Sequence, residues 1–291
     1  MNFSLIGPPG SGKGSYGKYF ARSFRIRTHA VSDLLKKFRP ELDISSGKLI
    51  EDDSIVGETV LKGLQHYYRH SSSSSNNNNN MLNTYNYGTD AITKSNNHNS
   101  NGNNNNNKQG YIIDGYPRTF PQITYMEEQF PELFRIQYAL HLNVPDAVCK
   151  TKLLGRRSCS KCGNSYNINS VDWNGWLLPS KLPKEEHICE STTIMDTKTN
   201  TNTDTGDNNN TDNDQCDWSV KRDDDTPDII DHRLMIYHQN LDPILEYYRT
   251  RGRLLTLTPH NGFDDIPKLV HQIHAWLNNQ KRRRRRGTYN N

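Results

Sequence analysis

Phe3-Ser4-Leu5-Ile6 runs straight into Gly7-Pro8-Pro9-Gly10-Ser11-Gly12-Lys13-Gly14-Ser15, and the reading of this passage decides the fold. A short apolar run stopped by glycine reads as a buried parallel strand, and Lys13–Phe24 reads as the helix after it. Between them the glycines let the backbone curl so that successive N–H groups point inward. That ring, with the positive end of the helix, holds phosphate oxygens, and Lys13 adds a full charge. Gly14 follows the lysine, so Ser15 is the candidate hydroxyl on the magnesium side, acting directly or through water. A glycine-rich turn with an exposed lysine is the alternative, and the strand–loop–helix context argues against it.

Working outward, further strands are expected at Thr28–Val31, Tyr111–Ile113, Tyr138–Leu142 and Leu254–Leu257. Helices are expected at Phe120–Gln129, Ala147–Leu154, Asp228–Arg249 and Ile266–Asn278. Strands alternating with helices imply a parallel sheet covered on both faces, an α/β fold. Two stretches interrupt the alternation. Asp33–His70 is helical in character, and Arg156–Asp225 carries a cysteine pair with aromatic and glycine residues. Both read as excursions from the carboxyl edge of the sheet, where ligands bind in open α/β folds.

Only 32% of the 291 residues are hydrophobic, and the mean hydropathy is −0.92. The deficit lies in two asparagine-rich tracts, Ser71–Asn107 and Ser191–Gln215, which lack the apolar side chains that offset ordering entropy and read as disordered insertions. The remaining roughly 220 residues suffice for one compact domain with attached subdomains. The formal charge of +4 is more than covered by Lys281–Arg286, a basic run within a tail at 281–291. Such a run is a solvated tail or a contact for acidic membranes, RNA or the nuclear import machinery, and does not by itself imply a nucleic-acid partner. No stretch reaches the roughly 18 apolar residues that span a bilayer. No leader is expected ahead of the first strand. Five cysteines, with Cys159 and Cys162 close together, suggest a reducing compartment and metal rather than disulfides, with cytoplasm the expected location.

Tyr111-Ile112-Ile113-Asp114 turns from apolar to acidic, which puts the aspartate at the carboxyl end of a buried strand, within reach of magnesium or its waters. Gly115 and Pro117 then bend the chain, and Arg118 presents a planar fork suited to bidentate phosphate contact. A strand end with a surface ion pair is the alternative. Arg222 and Arg233 stand eleven residues apart, three turns of a continuous helix, which would place them on one face. That spacing alone describes a solvated face equally well.

These motifs together resemble the adenylate kinase family: GPPGSGKGS, the strand ending in DGYPRT, Gly155-Arg156-Arg157, and Arg222-Asp223-Asp224-Asp225 followed by Arg233. The resemblance covers nearly all of the chain outside the asparagine tracts, and the long segment after Arg156 is similar to the long-lid members. It implies a five-stranded parallel sheet in one domain spanning 1–291, with a monophosphate-binding arm at 32–109 and a lid at 157–226. It also implies reversible transfer of the terminal phosphoryl group of magnesium-bound ATP to AMP. Lys13, Arg156, Arg222 and Arg233 would surround that group, with Gly7–Ser15 and Lys152 on the ATP. Arg118 would hold the AMP phosphate and Gln122 the adenine, beside Gly115, Val31, Lys36, Lys48, Leu49 and Ile50. Asp114 would organise magnesium through water, and Asp224 and Asp225 would orient the lid arginines. A monomer acting on ATP and AMP is expected, without nucleic acid.

Cys159-Ser160-Lys161-Cys162 is half of a zinc knuckle, because a Cys-x-x-Cys turn aims two thiolates at one tetrahedral ion. Cys189 and Cys216, with His187 or Asp217 as substitutes, are candidates for the other half, and a zinc-bearing class of the long-lid relatives is similar. An intervening tract adds little to the closure cost, which grows only logarithmically with length. The alternative is a lid held by hydrogen bonds or packing with unliganded thiols.

Some positions depart from the family pattern. Val31 stands where a threonine hydroxyl is usual, Lys36 where an arginine is usual, and Lys152 where an adenine-stacking arginine is usual. The stretch from Asp33 to Gly47-Lys48-Leu49-Ile50 is also short. Two other readings follow from these changes: a related kinase such as a GTP:AMP phosphotransferase, and a nucleotide-binding module that has lost catalysis.

Overall fold

The computed structural model describes residues 1–42, 50, 52–69, 110–183 and 219–287. Both asparagine tracts therefore lie outside the described residues. In chain order the elements are β1 (Asn2–Ile6), α1 (Lys13–Phe24), β2 (Arg27–Ala30), α2 (Val31–Phe38), α3 (Asp53–Arg69), β3 (Tyr111–Asp114), α4 (Phe120–Gln129), β4 (Tyr138–Leu142) and α5 (Asp146–Leu154). They continue with β5 (Arg156–Ser158), β6 (Ser165–Asn167), β7 (Val171–Trp173), β8 (Trp176–Leu178), α6 (Pro227–Thr250), β9 (Leu254–Leu257) and α7 (Ile266–Gly287).

Five strands form one sheet in the order β2-β3-β1-β4-β9, and every pair is parallel. The strand that feeds the phosphate loop is thus central, and the five expected strands are all present. Alternation along each strand splits the core in two. Phe3, Leu5, Ile112, Leu140 and Leu142 point to one face, covered by α1, α5 and α7 through residues such as Phe20, Val148, Leu269 and Ile273. Ile6, Tyr111, Ile113 and Ala139 point to the other, covered by α2, α3 and α4 and by the second half of α6. Side chains as large as Phe3, Tyr111 and Ile113 are wholly enclosed, each removing enough apolar surface to stabilise the fold by about 1.5–3 kcal/mol before entropy is set against it.

Two boundaries and one conditional helical face differ from expectation. Val31 opens α2 rather than closing β2. α6 begins at Pro227, so Arg222 lies ahead of the helix and the two arginines do not share a helical face. The reason is local: proline fixes φ, lacks an N–H and is best placed in the first helical turn, while the residue before it is pushed out of the helical region. Finally, α7 runs nine residues past the expected end at Asn278, so Lys281–Arg286 are helical.

Between α5 and α6 the described chain makes two small antiparallel pairs. β5 pairs with β6, and Ser158 also bridges to Val220. β7 pairs with β8 around Asn174-Gly175, both at positive φ (47° and 81°), the backbone of a two-residue hairpin turn. Val171 and Trp176 of this hairpin are buried in the same core cluster as α1, α5 and α7.

Candidate active site

The phosphate loop occupies the carboxyl end of β1, as its sequence implies. Gly10 shows why glycine is needed there: its φ is +86°, and a Cβ would lie 2.6 Å from the Cys149 carbonyl oxygen of α5. The Lys13 ammonium turns back over the loop and donates to the carbonyls of Gly7 (2.7 Å) and Pro8 (2.9 Å). It is recessed, and desolvation lowers its pKa to about 8, opposed mainly by the Asp114 carboxylate and reinforced by the charges of Arg118 and Arg233. Ser11 Oγ is buried and, among the described residues, has no hydrogen-bond partner. An orphaned hydroxyl in this glycine-rich loop suits an anionic oxygen.

Asp114 ends β3 beside this loop, and a Cβ on Gly14 would stand 3.5 Å from its Oδ2. Burial raises its pKa, while Lys13 and Arg118 pull it down. A carboxylate so placed fits the water shell of a divalent cation carried in by a nucleotide. The turn after it is set by Gly115 at φ +89°, where a Cβ would come within 3.0 Å of the Arg118 guanidinium. Arg118 Nε donates to the Gly115 carbonyl (3.1 Å), and its backbone N–H donates to Gln122 Oε1 (2.8 Å). Gln122 is buried, and its amide nitrogen donates to Asp53 Oδ1 (2.8 Å) at the start of α3.

On the other side, three arginines converge on two buried aspartates. Arg156 makes a bidentate pair with Asp225 (2.7 and 2.6 Å). Arg222 makes one with Asp224 (2.8 and 3.0 Å), and Arg233 donates to the same Asp224 carboxylate (2.8 Å). Asp224 is 4% exposed and Asp225 0%, whereas the Arg222 side chain is 55% exposed. The carboxylates are thus a buried anchor for three cationic forks, of which Arg222 reaches solvent and Arg233 acts on Lys13. Arg222 and Arg233 therefore meet through Asp224 and not through helical periodicity.

The remaining candidates divide. Val31 is buried at the start of α2 and its side chain is apolar, Lys36 is exposed, and Ile50 packs against the arm-side core. Lys48 and Leu49 lie outside the described residues. Lys152 is half-buried, with its ammonium donating to the Asn169 (2.8 Å) and Pro179 (2.9 Å) carbonyls, away from any free surface role. Cys159 and Cys162 sit on a tight turn in which the Gly163 N–H donates to the Cys159 carbonyl (3.0 Å). Cys189, Cys216, His187 and Asp217 lie outside the described residues, so only half of the suggested zinc set is placed. Among the described residues no three His, Cys, Asp or Glu side chains gather around a metal position.

Two contributors escaped the sequence reading. Asp53, which fixes the Gln122 amide, was marked only by the acidic pair Asp52-Asp53 ahead of a helical stretch. His141, set within the apolar strand β4, bonds to Tyr237 Oη (3.1 Å). Burial, aided by Arg249 and Lys13, lowers its pKa to about 4, so it stays neutral and adds no further charge beneath the lysine.

No described helix is long and apolar enough to cross a membrane. Comparison with known proteins agrees with the geometry. A family model described as adenylate kinase matches residues 64–253. An adenylate kinase from Methanothrix thermoacetophila is 27% identical over 278 residues, covering 94% of this chain and 96% of its own. One from Methanosarcina mazei is 28% identical over 282 residues, covering 95% and 98%. One from Acetivibrio thermocellus is 26% identical over 275 residues, covering 93% and 96%. With a parallel sheet, a phosphate loop on its central strand and a family match across most of its length, the chain belongs to the adenylate kinase family.

Proposed function

We propose that this chain transfers the terminal phosphoryl group of magnesium-bound ATP to AMP, reversibly, giving two ADP. The observation that carries the reading is the setting of Lys13, held on the loop carbonyls of Gly7 and Pro8 and within reach of the charges of Arg118, after β3, and of Arg233, on α6. Two cationic arms around one anion-binding loop suit a reaction that joins two phosphate-bearing substrates.

The chemistry asks for little covalent help. The AMP phosphate is already an ionised nucleophile, so no general base is required. What the protein supplies is alignment and compensation of the charge on the transferring group. The loop amides and Lys13 hold the donor phosphates, Arg118 holds the acceptor phosphate, and Gln122, steadied by Asp53, meets its base. Arg156, Arg222 and Arg233, oriented by Asp224 and Asp225, close on the transferring phosphoryl group. Asp114 would hold the water shell of a magnesium ion carried in with ATP, which would supply further charge cancellation. Residues 157–226 act as the lid that excludes water, and residues 32–109 form the acceptor arm. Cys159 and Cys162 supply half of a thiolate set that, with Cys189 and Cys216, would hold a structural zinc in that lid.

A coupled assay with ATP and AMP tests the activity, and no turnover would reject it. Replacing Arg118 by alanine tests the site: the KM for AMP should rise by about 10- to 100-fold, the loss of a bidentate charged contact. An unchanged AMP dependence would overturn the acceptor assignment. A GTP-using variant of the same reaction is the second reading, favoured by the engagement of Lys152 with two carbonyls. The convergence of Arg156, Arg222 and Arg233 on buried carboxylates speaks against a module without catalysis.

A further inference from the structure

α7 follows β9 from the carboxyl edge of the sheet and runs back toward the rim opposite the phosphate loop. Leu269, Ile273 and Leu277, spaced about one turn apart, bury its inner stripe. Ring contacts mark its course. His274 packs on Phe24, the last residue of α1, with centroids 4.7 Å apart, and Trp276 packs on Tyr138, the first residue of β4, at 5.2 Å. By Trp276 the helix has therefore reached the strand starts, and Leu277 is its last buried side chain among the described residues. The helix nevertheless continues to Gly287. At 1.5 Å per residue, 278–287 carry it about 15 Å past that last anchor.

This extension reads Asn278-Asn279-Gln280 and then Lys281–Arg286, with no apolar residue and no acid. Lys281, Arg282 and Arg283 are exposed. Like charges three and four positions apart repel, and only the negative end of the helix dipole offsets them. A helix charged in this way gains stability from an anionic partner. The body beneath it has the same sign. Neither α1 nor α7 contains an aspartate or glutamate, and Lys18, Arg22, Arg25 and Lys268 are exposed on or beside them.

Shape decides which polyanion fits. Consecutive helical positions are about 100° apart, so six of them go round the axis more than once. A bilayer meets a helix on one side, and helices that settle into it bury an apolar face, which this one lacks. The major groove of B-form DNA is about 12 Å wide, between two phosphate backbones, and a helix with its side chains is about 10–12 Å across. Five of the six cations are arginines, whose planar forks take two phosphate oxygens each.

We propose that the projecting end of α7, with the acid-free α1–α7 face behind it, binds double-stranded DNA through its phosphates without regard to sequence. This goes beyond the kinase reading and does not depend on it, because the surface lies on the rim opposite the phosphate loop.

The test is fluorescence anisotropy of a labelled 20-base-pair duplex with the full chain. A Kd of about 1 μM or tighter is expected at 50 mM salt, weakening by about 10³-fold by 200 mM as six neutralised phosphates require. A duplex of unrelated sequence should bind within threefold. Replacing all of Lys281–Arg286 by glutamine, a good helix former, should weaken binding at least 100-fold and leave turnover unchanged. Gln280→Pro keeps every charge but breaks the rod, and should weaken binding at least tenfold. Duplex binding within threefold of wild type in either variant overturns the proposal. So does tighter binding to vesicles containing phosphatidylserine, or to duplex RNA, than to duplex DNA at equal phosphate and salt.

Discussion

Two groups of cations bear on the phosphate loop, and they are held in opposite ways. Lys13 and Arg118 are fastened by main-chain carbonyls of their own turns. Arg156, Arg222 and Arg233 are fastened by the carboxylates of Asp224 and Asp225. A carbonyl dipole orients a cation without cancelling its charge, so at the floor of the site the attraction for phosphate is offset mainly by the single carboxylate of Asp114. A buried carboxylate cancels much of the field but fixes direction more firmly. On the proposed function, binding strength is concentrated in the floor and geometric control in the arginine–aspartate cluster.

Lys13→Met should break the floor most severely. A fall in kcat/KM of about 10³-fold is expected, in line with losing a central charge-stabilising group. Because the lysine is recessed and poorly solvated, its thermal midpoint should stay level or rise, as measured by calorimetry. Asp225→Asn should do the reverse. Arg156 keeps its place in the sequence but loses a charged bidentate anchor that is 0% exposed, so the thermal midpoint should drop. Turnover should fall by about 10²-fold, the cost of misplacing a catalytic group by an ångström. If both variants shift the midpoint the same way, the contrast between the two regions is wrong.

The smallest effect sharpens the same contrast through pH. The Lys13 pKa of about 8 lies below its unfolded value, so between pH 8 and 10.5 the unfolded chain binds more protons at this residue than the folded one. The free protein therefore gains stability from this group as pH rises through that window, and the gain should vanish in Lys13→Met. Donor affinity should move oppositely, because a bound polyphosphate favours the ammonium. About tenfold weaker binding per pH unit is expected well above pH 8, with proton uptake on binding visible by calorimetry in buffers of different ionisation enthalpy.

Much of the floor was legible beforehand because each part is local. Strand, glycine turn and lysine are contiguous, as are Asp114, Gly115 and Arg118. The arginine–aspartate cluster was legible in its residue types but not in its geometry. Periodicity between Arg222 and Arg233 suggested one helical face, yet Pro227 starts the helix too late, and the real link is Asp224, reached by both. The hairpin was marked by Asn174-Gly175 between two tryptophans, a strong turn signal that the surrounding polar sequence obscured. Its attachment to Lys152 and His260 joins residues distant in the chain, and no local pattern announces that. The Lys281–Arg286 run was read as a tail because charge alone does not reveal that α7 continues through it.

One contact far from the chemistry has its own consequence. Tyr68 near the end of α3 donates its hydroxyl to the Gly110 carbonyl just before β3 (3.0 Å), and Tyr111 N–H bonds to the Met1 carbonyl (3.2 Å). The described chain thus breaks off after Arg69 and resumes at Gly110 near the amino-terminal rim of the sheet, the rim opposite the phosphate loop. Tyr68 and Gly110 are clasped to each other there. The tract is accordingly a natural place to sever or re-splice the polypeptide: a peptide bond cut there, or a foreign domain grafted in, would leave the phosphate-binding machinery on two pieces already held together by the shared sheet.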